Sequence, residues 1–414
     1  MSRRRLLFVS PQFLFPLDAG GKIRTTNILR GLNGGAFKVT LISPAVPGAE
    51  TKWHDEIARA ADRFASWPDP TRGPVGRARR ALGVLHPLPV TVAVDISGAA
   101  SALVARELAE PYDAVVFDYV HAAVFMPQRC AASTLCLTHN VEAEIIERHA
   151  AVARGPMRLV WRDQHRKMLR FERAALARFD TVIAVSERDA RMFRENYGLA
   201  RVAAIPTGVD LDYFRFEAPG AGVAAEPLVA FTGSMDSRAN VDGVEWFLEA
   251  IWPKVAAKRP QARCVVIGKN PPAGLVARAR GQGLRVQFTG FVDDVRPHMR
   301  GADVSVIPLR VGGGTRIKAY EAMAMGLPIV STALGVEGLP VEDGKHLLIA
   351  DDDAGFAARV LELIDSPARR GAIAASARAL VEGHFGTARV TQVFEQICLD
   401  ACARRAAAKT ATAP

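Results

Sequence analysis

Short unbroken apolar runs alternate along this chain with longer segments whose apolar residues recur at helical spacing. The runs "RLLFVS" (5–10), "KVTLIS" (38–43), "DAVVFD" (113–118), "TLCLTH" (134–139) and "DTVIAVS" (180–186) lack the strict polar–apolar alternation of a strand with one wet face, so they read as buried parallel strands. A second series follows: "PLVAFTG" (227–233), "ARCVVIG" (262–268), "RVQFTG" (285–290), "DVSVIPL" (303–309) and "LPIVST" (327–332). Strand and helix patterns thus alternate twice over, which predicts an α/β protein built from two doubly wound domains. A Pro/Gly-rich stretch, "IPTGVDLDYFRFEAPGAGVAAEP" (205–227), separates the two series. The last helical periodicity covers about 374–405, and the tail "RRAAAKTATAP" reads as frayed.

Open parallel sheets bind ligands beyond the carboxyl ends of their strands, which singles out the residues just past each run. Here they are "SPQF" and "DAGG" after the first strand, Asp118 to His121, His139 to Glu142, "GSMDSRAN" (233–240), "GKN" (268–270), "GFVDD" (290–294) and a glycine triplet in "VGGGTRIKAYEAMAMG" (311–326). The triplet joins a strand to a helix start and is followed by Arg316, Lys318 and Glu321. Helix N-termini offer unpaired N–H groups and a positive dipole end, and glycine admits a ligand close to the backbone, so a diphosphate suits this place. Glu321, one turn in, is placed to accept hydrogen bonds from sugar hydroxyls such as those of a ribose. The competing reading is an ordinary loop with a Thr315 cap and solvent-facing cations. The order GK[ST] of a Walker A loop is absent. Gly20 and Gly21 open the first helix in the same way, as a weaker phosphate-contact loop.

Composition narrows the class. With 414 residues, 49% hydrophobic and 23% charged, the chain is globular and large enough for two cores. No apolar run reaches the ~18 residues a spanning helix requires. The N-terminal "MSRRRLLFVSPQF" is too short in its apolar part for a signal peptide and reads as the first strand. Five cysteines without CxxC or zinc-like spacing point to a reducing cytoplasm. A net charge of +10 favours anionic partners, and Arg clusters in 72–80 and 148–178. The second cluster mixes Arg with Leu, Val and Trp, as on an amphipathic basic face, or as on a solvated helix surface. No nucleic-acid-binding motif is present.

The span from "FTGSMDSRANVDGVEWF" through "FTGFVDDVRPHM" to "RVGGGTRIKAYEAMAMGLPIVSTALGVEGL" resembles the donor-binding half of a GT-B glycosyltransferase of family 4, in the group of bacterial cell-surface polysaccharide sugar transferases. "SPQFLFPLDAGGKIRTTNILRGL", "THNVEAE", "TVIAVSERDA" and "IPTGVD" stand in the order that family shows, and the likeness covers about residues 5 to 390. It implies two Rossmann-like domains facing an interdomain cleft: 1–205 for the acceptor, 206–385 for the nucleotide sugar, and a C-terminal helix in 386–414 packing back on the first. It also implies retaining, metal-independent transfer of a sugar from a nucleotide diphosphate sugar to a glycan or lipid-linked acceptor, with no cofactor and no nucleic-acid partner. The expected location is the cytoplasm, with peripheral contact at the inner membrane face.

Carried over residue by residue, Glu321 matches the second acid of the family's two-glutamate motif; the first falls on Gly313. Gly20, Gly21, Gly233, Ser234, Asn240, Gly290, Phe291, Gly313, Gly314 and Thr315 join Glu321 on the donor side. Arg316 and Lys318 are expected to stabilise the leaving diphosphate. An acceptor hydroxyl loses a proton as it attacks, so Asp118 and His121 are the candidate bases, with His139 beside them. Asp118 as a helix cap, His121 as a surface residue and His139 as a loop-orienting group are the plainer alternatives. A non-catalytic nucleotide-sugar-binding protein and a GT-B epimerase are the competing functions. The acidic runs at 292–294 and 351–353 read as a loop and a helix cap, not as metal ligands.

Overall fold

The computed structural model describes residues 3–69, 73–312 and 316–411. The chain forms two compact units, Met1–Thr207 with Thr387–Pro414, and Gly208–Gly386. The first holds a seven-stranded parallel sheet: β1 (Arg4–Val9), β2 (Phe37–Ala45), β3 (Arg63–Pro68), β4 (Ala114–Asp118), β5 (Ser133–Leu137), β6 (Thr181–Ala184) and β7 (Val202–Ala204), in the order β3-β2-β1-β4-β5-β6-β7. The second holds six: β8 (Leu228–Thr232), β9 (Arg263–Ile267), β10 (Val286–Gly290), β11 (Val304–Ile307), β12 (Ile329–Ser331) and β13 (Leu348–Ile349), ordered β10-β9-β8-β11-β12-β13. These are the two α/β doubly wound sheets that the apolar runs predict.

Both faces of each sheet are covered, which is why the central strands read as continuous apolar runs. In β1, Leu6 and Phe8 enter a core with Ile28, Leu29 and Leu32, while Leu7 and Val9 enter another with Val104, Phe117 and Phe125. Register is fixed by the same burial: Leu6 pairs with Val39 on one side and Ala114 on the other. The chain leaves β1 for β2 on one side and reaches β4 on the other, so strand order reverses between β1 and β4, and likewise between β8 and β11. Each switch point opens a crevice at the strand ends of its own sheet, lined by the residues following β1 and β4 in the first unit and by those following β8 and β11 in the second.

Three strands escape the sequence pattern. β3, β7 and β13 lie at sheet edges, and β7 is half-buried throughout, so none carries a full apolar run. β5 ends at Leu137, which leaves His139 in the following loop and not on the strand. The single C-terminal helix expected at 374–405 is two, Pro367–His384 and Thr387–Ala411, parted where Val209 N–H bonds the carbonyl of Phe385 at 2.8 Å. Phe394, Cys398 and Ala401 of the second helix pack into the same core as Leu6 and Ile28. The tail is helical to Ala411, because Arg404 bonds Thr181 Oγ1 (3.1 Å) and Arg405 bonds the carbonyl of Cys130 (2.6 Å). All five cysteines are free thiols. Among the described residues, no helix is long and apolar enough to cross a membrane.

Candidate active site

In the second unit the predicted residues converge at the end of β8. Gly233 follows that strand directly, and a Cβ there would lie 2.7 Å from Asn240 Nδ2 and 2.8 Å from Lys318 Nζ, so only glycine lets these groups close in. Lys318 Nζ donates to Asn240 Oδ1 at 2.8 Å, and Asn240 Nδ2 donates to the carbonyl of Ser234 at 2.8 Å. The ammonium also sits 4.5 Å from the centre of the Phe231 ring. Lys318 and Glu321 lie three residues apart on the helix Ile317–Met325, on one face of its first turns. Glu321 accepts no hydrogen bond from any described residue, and both side chains are half-buried.

Burial governs both charges. It drives the Lys318 ammonium from 10.5 down to about 7, with Arg316 adding to the effect and Glu321 opposing it. It pushes the Glu321 carboxyl from 4.5 up to about 7, with Lys318 opposing. A cation and an acid are thus held half-dry, with donors and acceptors left for something else. Arg316 is buried at φ 49°, just ahead of the helix, with Nη2 3.8 Å from Glu337 Oε2. Gly290 ends β10 at φ 70°, and Phe291 beside it is an exposed aromatic (69%). Ser234 Oγ bonds Asp236 (3.3 Å), which pairs with Lys269 and accepts from Asn270, so the loops after β8 and β9 are tied together. Gly313, Gly314 and Thr315 lie outside the described residues. Asp294 is claimed by Arg296, and Asp352 caps the helix Asp353–Asp365 through the N–H of Gly355 (2.8 Å). Among the described residues, no cluster of three or more His, Cys, Asp or Glu is arranged to hold a metal. A cavity of about 280 Å³ lies at the opposite, amino ends of β8–β10, lined by groups such as Leu228 and Arg263, and none of the predicted site residues reaches it.

In the first unit Asp118 lies inside a buried hydrogen-bonded cluster. Its carboxylate is fully buried and takes hydrogen bonds from Ser10 Oγ (3.0 Å), Thr25 Oγ1 (3.1 Å) and His139 Nε2 (2.7 Å). These donors occupy the carboxylate, and the shortest of the contacts holds the His139 ring. Burial lowers the His139 imidazole despite Asp118, so the ring is neutral, with its proton on Nε2 toward Asp118 and a bare lone pair on Nδ1. That Nδ1 is buried without a partner. The Tyr119 ring stacks on His139 at 4.0 Å, and its hydroxyl occupies the space where a Gly21 Cβ would sit, 1.7 Å away. Gly20 and Gly21 are the first residues of the helix Gly20–Leu32, whose N-terminus has no side-chain cap.

His121, in the short 3₁₀ segment Val120–Phe125, faces Asp95 with Nδ1 3.6 Å from the carboxylate. Burial works against its protonation, but Asp95, Glu142 and Glu172 raise its pKa above the ordinary value. The sequence reading missed Asp95, Tyr119 and the buried Arg24, whose guanidinium bonds the carbonyls of Thr138 (2.7 Å) and Ile205 (2.9 Å). Nothing in the spacing of Asp95 and Arg24 marks them, and only tertiary packing brings them to His121 and His139; Tyr119 lies within the span from Asp118 to His121.

Residues 19–213 match the family described as Glycosyltransferase Family 4, and residues 226–366 match Glycosyl transferases group 1. The chain is 27% identical over 223 residues to a GDP-mannose-dependent monoacylated alpha-(1-6)-phosphatidylinositol monomannoside mannosyltransferase of Corynebacterium glutamicum, covering 50% of this chain and 58% of that protein. It is 31% identical over 223 residues to the phosphatidyl-myo-inositol mannosyltransferase of Mycobacterium leprae, covering 52% and 59%. The match therefore spans little more than half the length of either relative. Among solved structures, a sucrose-phosphate synthase from Thermosynechococcus elongatus superposes with a TM-score of 0.73 at 19% identity, over 97% of this chain and all of that one. Anabaena HepE, in complex with UDP and glucose, gives 0.69 at 17%, over 96% and 100%. Both likenesses speak for the fold.

Proposed function

The chain belongs to glycosyltransferase family 4 and has the GT-B fold, and on that premise we propose that it transfers a sugar, with retention and without a metal, from a nucleotide diphosphate sugar to a hydroxyl acceptor in cell-surface polysaccharide synthesis. The observation that carries the donor reading is the cradle of Gly233, Asn240 and Lys318, with Glu321 one turn further along the helix. A diphosphate at Lys318 returns the ammonium to its charged form and neutralises the charge that develops as the nucleotide leaves. Glu321, when ionised, accepts hydrogen bonds from the vicinal hydroxyls of a ribose. Arg316 supplies a second cation close to the same helix start. On the acceptor side, His139 is the group with a free lone pair and Asp118 holds it in the right tautomer, so the pair suits removal of an acceptor proton.

Exposed apolar residues support a membrane-surface site of action. Val152, Met157 and Leu159 are exposed beside Arg158, Arg162 and Arg166 on the helices Glu142–Val152 and Pro156–Leu176. Lys167 bonds the carbonyl of Val84 (2.9 Å), which ties these helices to the segment bearing exposed Leu82 and Leu85. Apolar side chains set among arginines fit an anionic lipid surface. Arg72 of the other Arg cluster lies outside the described residues.

Thermal shift with UDP, GDP, ADP and their sugar conjugates tests the donor reading, since a ligand of the native state raises the melting point according to its affinity. One relative uses GDP-mannose by name and one structural neighbour holds UDP, so both bases belong in the screen. A shift with a nucleotide diphosphate that disappears in Lys318→Ala is expected. No shift with any of them would remove the donor site.

A further inference from the structure

The helix Glu142–Val152 follows the turn that carries His139 and Asn140, and its start has no cap of its own, because the residue at the N-cap is Val141. The first four N–H groups of a helix have no partner within it. Two of them are met here from another helix. Glu172, on Pro156–Leu176, is fully buried and accepts from the N–H of Glu142 (2.9 Å) and of Ala143 (3.1 Å). It also accepts from the Tyr197 hydroxyl (2.8 Å), at the end of the helix Glu187–Tyr197, so one carboxylate joins three helices. We propose that Glu172 is a positioning residue, a proton-sensitive latch whose ionised carboxylate orders the first turn of the helix Glu142–Val152 and whose protonation releases it.

All three partners donate, so the set requires acceptors on both oxygens, which only the ionised form offers. The protonated acid must donate through one oxygen, and backbone N–H groups cannot accept. Tyr197 can, and it bonds the same oxygen, Oε2, as the N–H of Ala143 does. A proton on Oε2 therefore turns toward Tyr197 and costs Ala143 its partner. Burial, helped by the charge of Glu142, pushes the Glu172 carboxyl up to about 7 against the pull of its hydrogen bonds, so the change falls near neutral pH. The charged and titratable groups around it are Glu142 and Glu144 on the capped helix, Tyr197, Arg173 on its own helix, His121 from the 3₁₀ segment and Cys136 from β5. Glu144 is itself paired with Arg188 (2.6 Å). The first turn matters because it bears Glu142, which accepts from Asn140 Nδ2 at 3.1 Å and favours the protonated form of both His121 and His139.

Hydrogen–deuterium exchange of the full chain, read by mass spectrometry, tests the latch without any ligand, because Glu172 is what protects the N–H groups of Glu142 and Ala143. After correction for the base catalysis of exchange itself, protection of that turn is expected to drop on the order of tenfold between pH 8 and pH 6, relative to peptides of the second unit. The midpoint is expected near 7. Glu172→Gln should abolish the change. Tyr197→Phe removes a hydrogen bond that favours the charged form and should move the midpoint upward. Constant protection from pH 6 to 8 in the wild-type chain overturns the proposal, as does a transition that persists in Glu172→Gln or a midpoint unmoved in Tyr197→Phe. That the turn governs transfer rests on the glycosyltransferase reading, and a second readout separates the two: release of UDP from UDP-glucose and of GDP from GDP-mannose. The ratio of wild-type to Glu172→Gln rates, in which the titration of Lys318 and Glu321 cancels, should fall on the order of tenfold from pH 8 to pH 6. A constant ratio overturns the positioning role. No release from either donor, with the exchange transition present, sinks the glycosyltransferase reading and leaves the latch standing.

Discussion

Replacing Lys318 by methionine should stabilise the unliganded protein while destroying nucleotide binding. Burial, with Arg316 nearby, holds the ammonium at about 7 against an ordinary 10.5. At ~1.4 kcal/mol for each tenfold in protonation, keeping it charged in the fold costs about 5 kcal/mol. Methionine removes that cost but leaves Asn240 Oδ1 without its donor, about 1–3 kcal/mol, and loses about 1 kcal/mol of attraction to the Phe231 ring. The net gain near neutral pH is then about 2 kcal/mol, or roughly 4–8 °C in melting temperature for a unit of this size. The sign of the pH dependence follows from proton binding. Between about 7 and 10.5 the unfolded chain holds the lysine proton and the folded chain does not, so the wild-type protein gains stability as pH rises through that window. The advantage of Lys318→Met is therefore fully present below pH 7, shrinks above it, and reverses toward pH 10.5, where only the lost contacts remain. Melting of both proteins at intervals from pH 6 to 10 measures this, with the UDP and GDP shifts alongside. A variant less stable at every pH, or a difference that does not change with pH, would refute the burial argument.

Glu321→Gln probes the opposite slope: the folded wild-type chain holds the carboxyl proton between 4.5 and about 7, so its stability falls across that window and the variant should gain up to about 3 kcal/mol above pH 7 but nothing below pH 4.5, with weaker nucleotide binding. Calorimetric titration with the nucleotide that binds, in buffers of different ionisation enthalpy at pH 8, should show proton uptake that is absent in Lys318→Met. Gly233→Ala places a Cβ 2.7–2.8 Å from Asn240 and Lys318 and should reduce the nucleotide shift strongly while the sheet still folds by circular dichroism. Changing Arg158, Arg162 and Arg166 together to Gln should lower sedimentation with anionic vesicles on the order of 100-fold, at roughly 1 kcal/mol per charge; unchanged sedimentation removes the membrane surface.

Strand and helix alternation, the division into two α/β units and the helix starts at Gly20 and Ile317 are local properties of the chain, because fully covered strands and helix starts each demand particular residues at particular spacing. The residue pattern after the glycine triplet singles out Arg316, Lys318 and Glu321 locally, and the family resemblance adds a donor-side expectation for Glu321. Strand order is not local. That β4 and β5 lie beyond β1, and β11 beside β8, is decided by how the helices pack on both faces, and this order alone brings Ser10, Thr25 and Asp118 around His139, and sets Lys318 against Asn240 and Gly233. The sequence could offer Asp118 as a base because a carboxylate ending a buried strand looks available; burial and three hydrogen bonds, which depend on residues far apart in the chain, turn it into the support of a histidine. Residue type and spacing set which groups exist at the strand ends, and only tertiary packing sets which of them keep a free hydrogen-bonding atom.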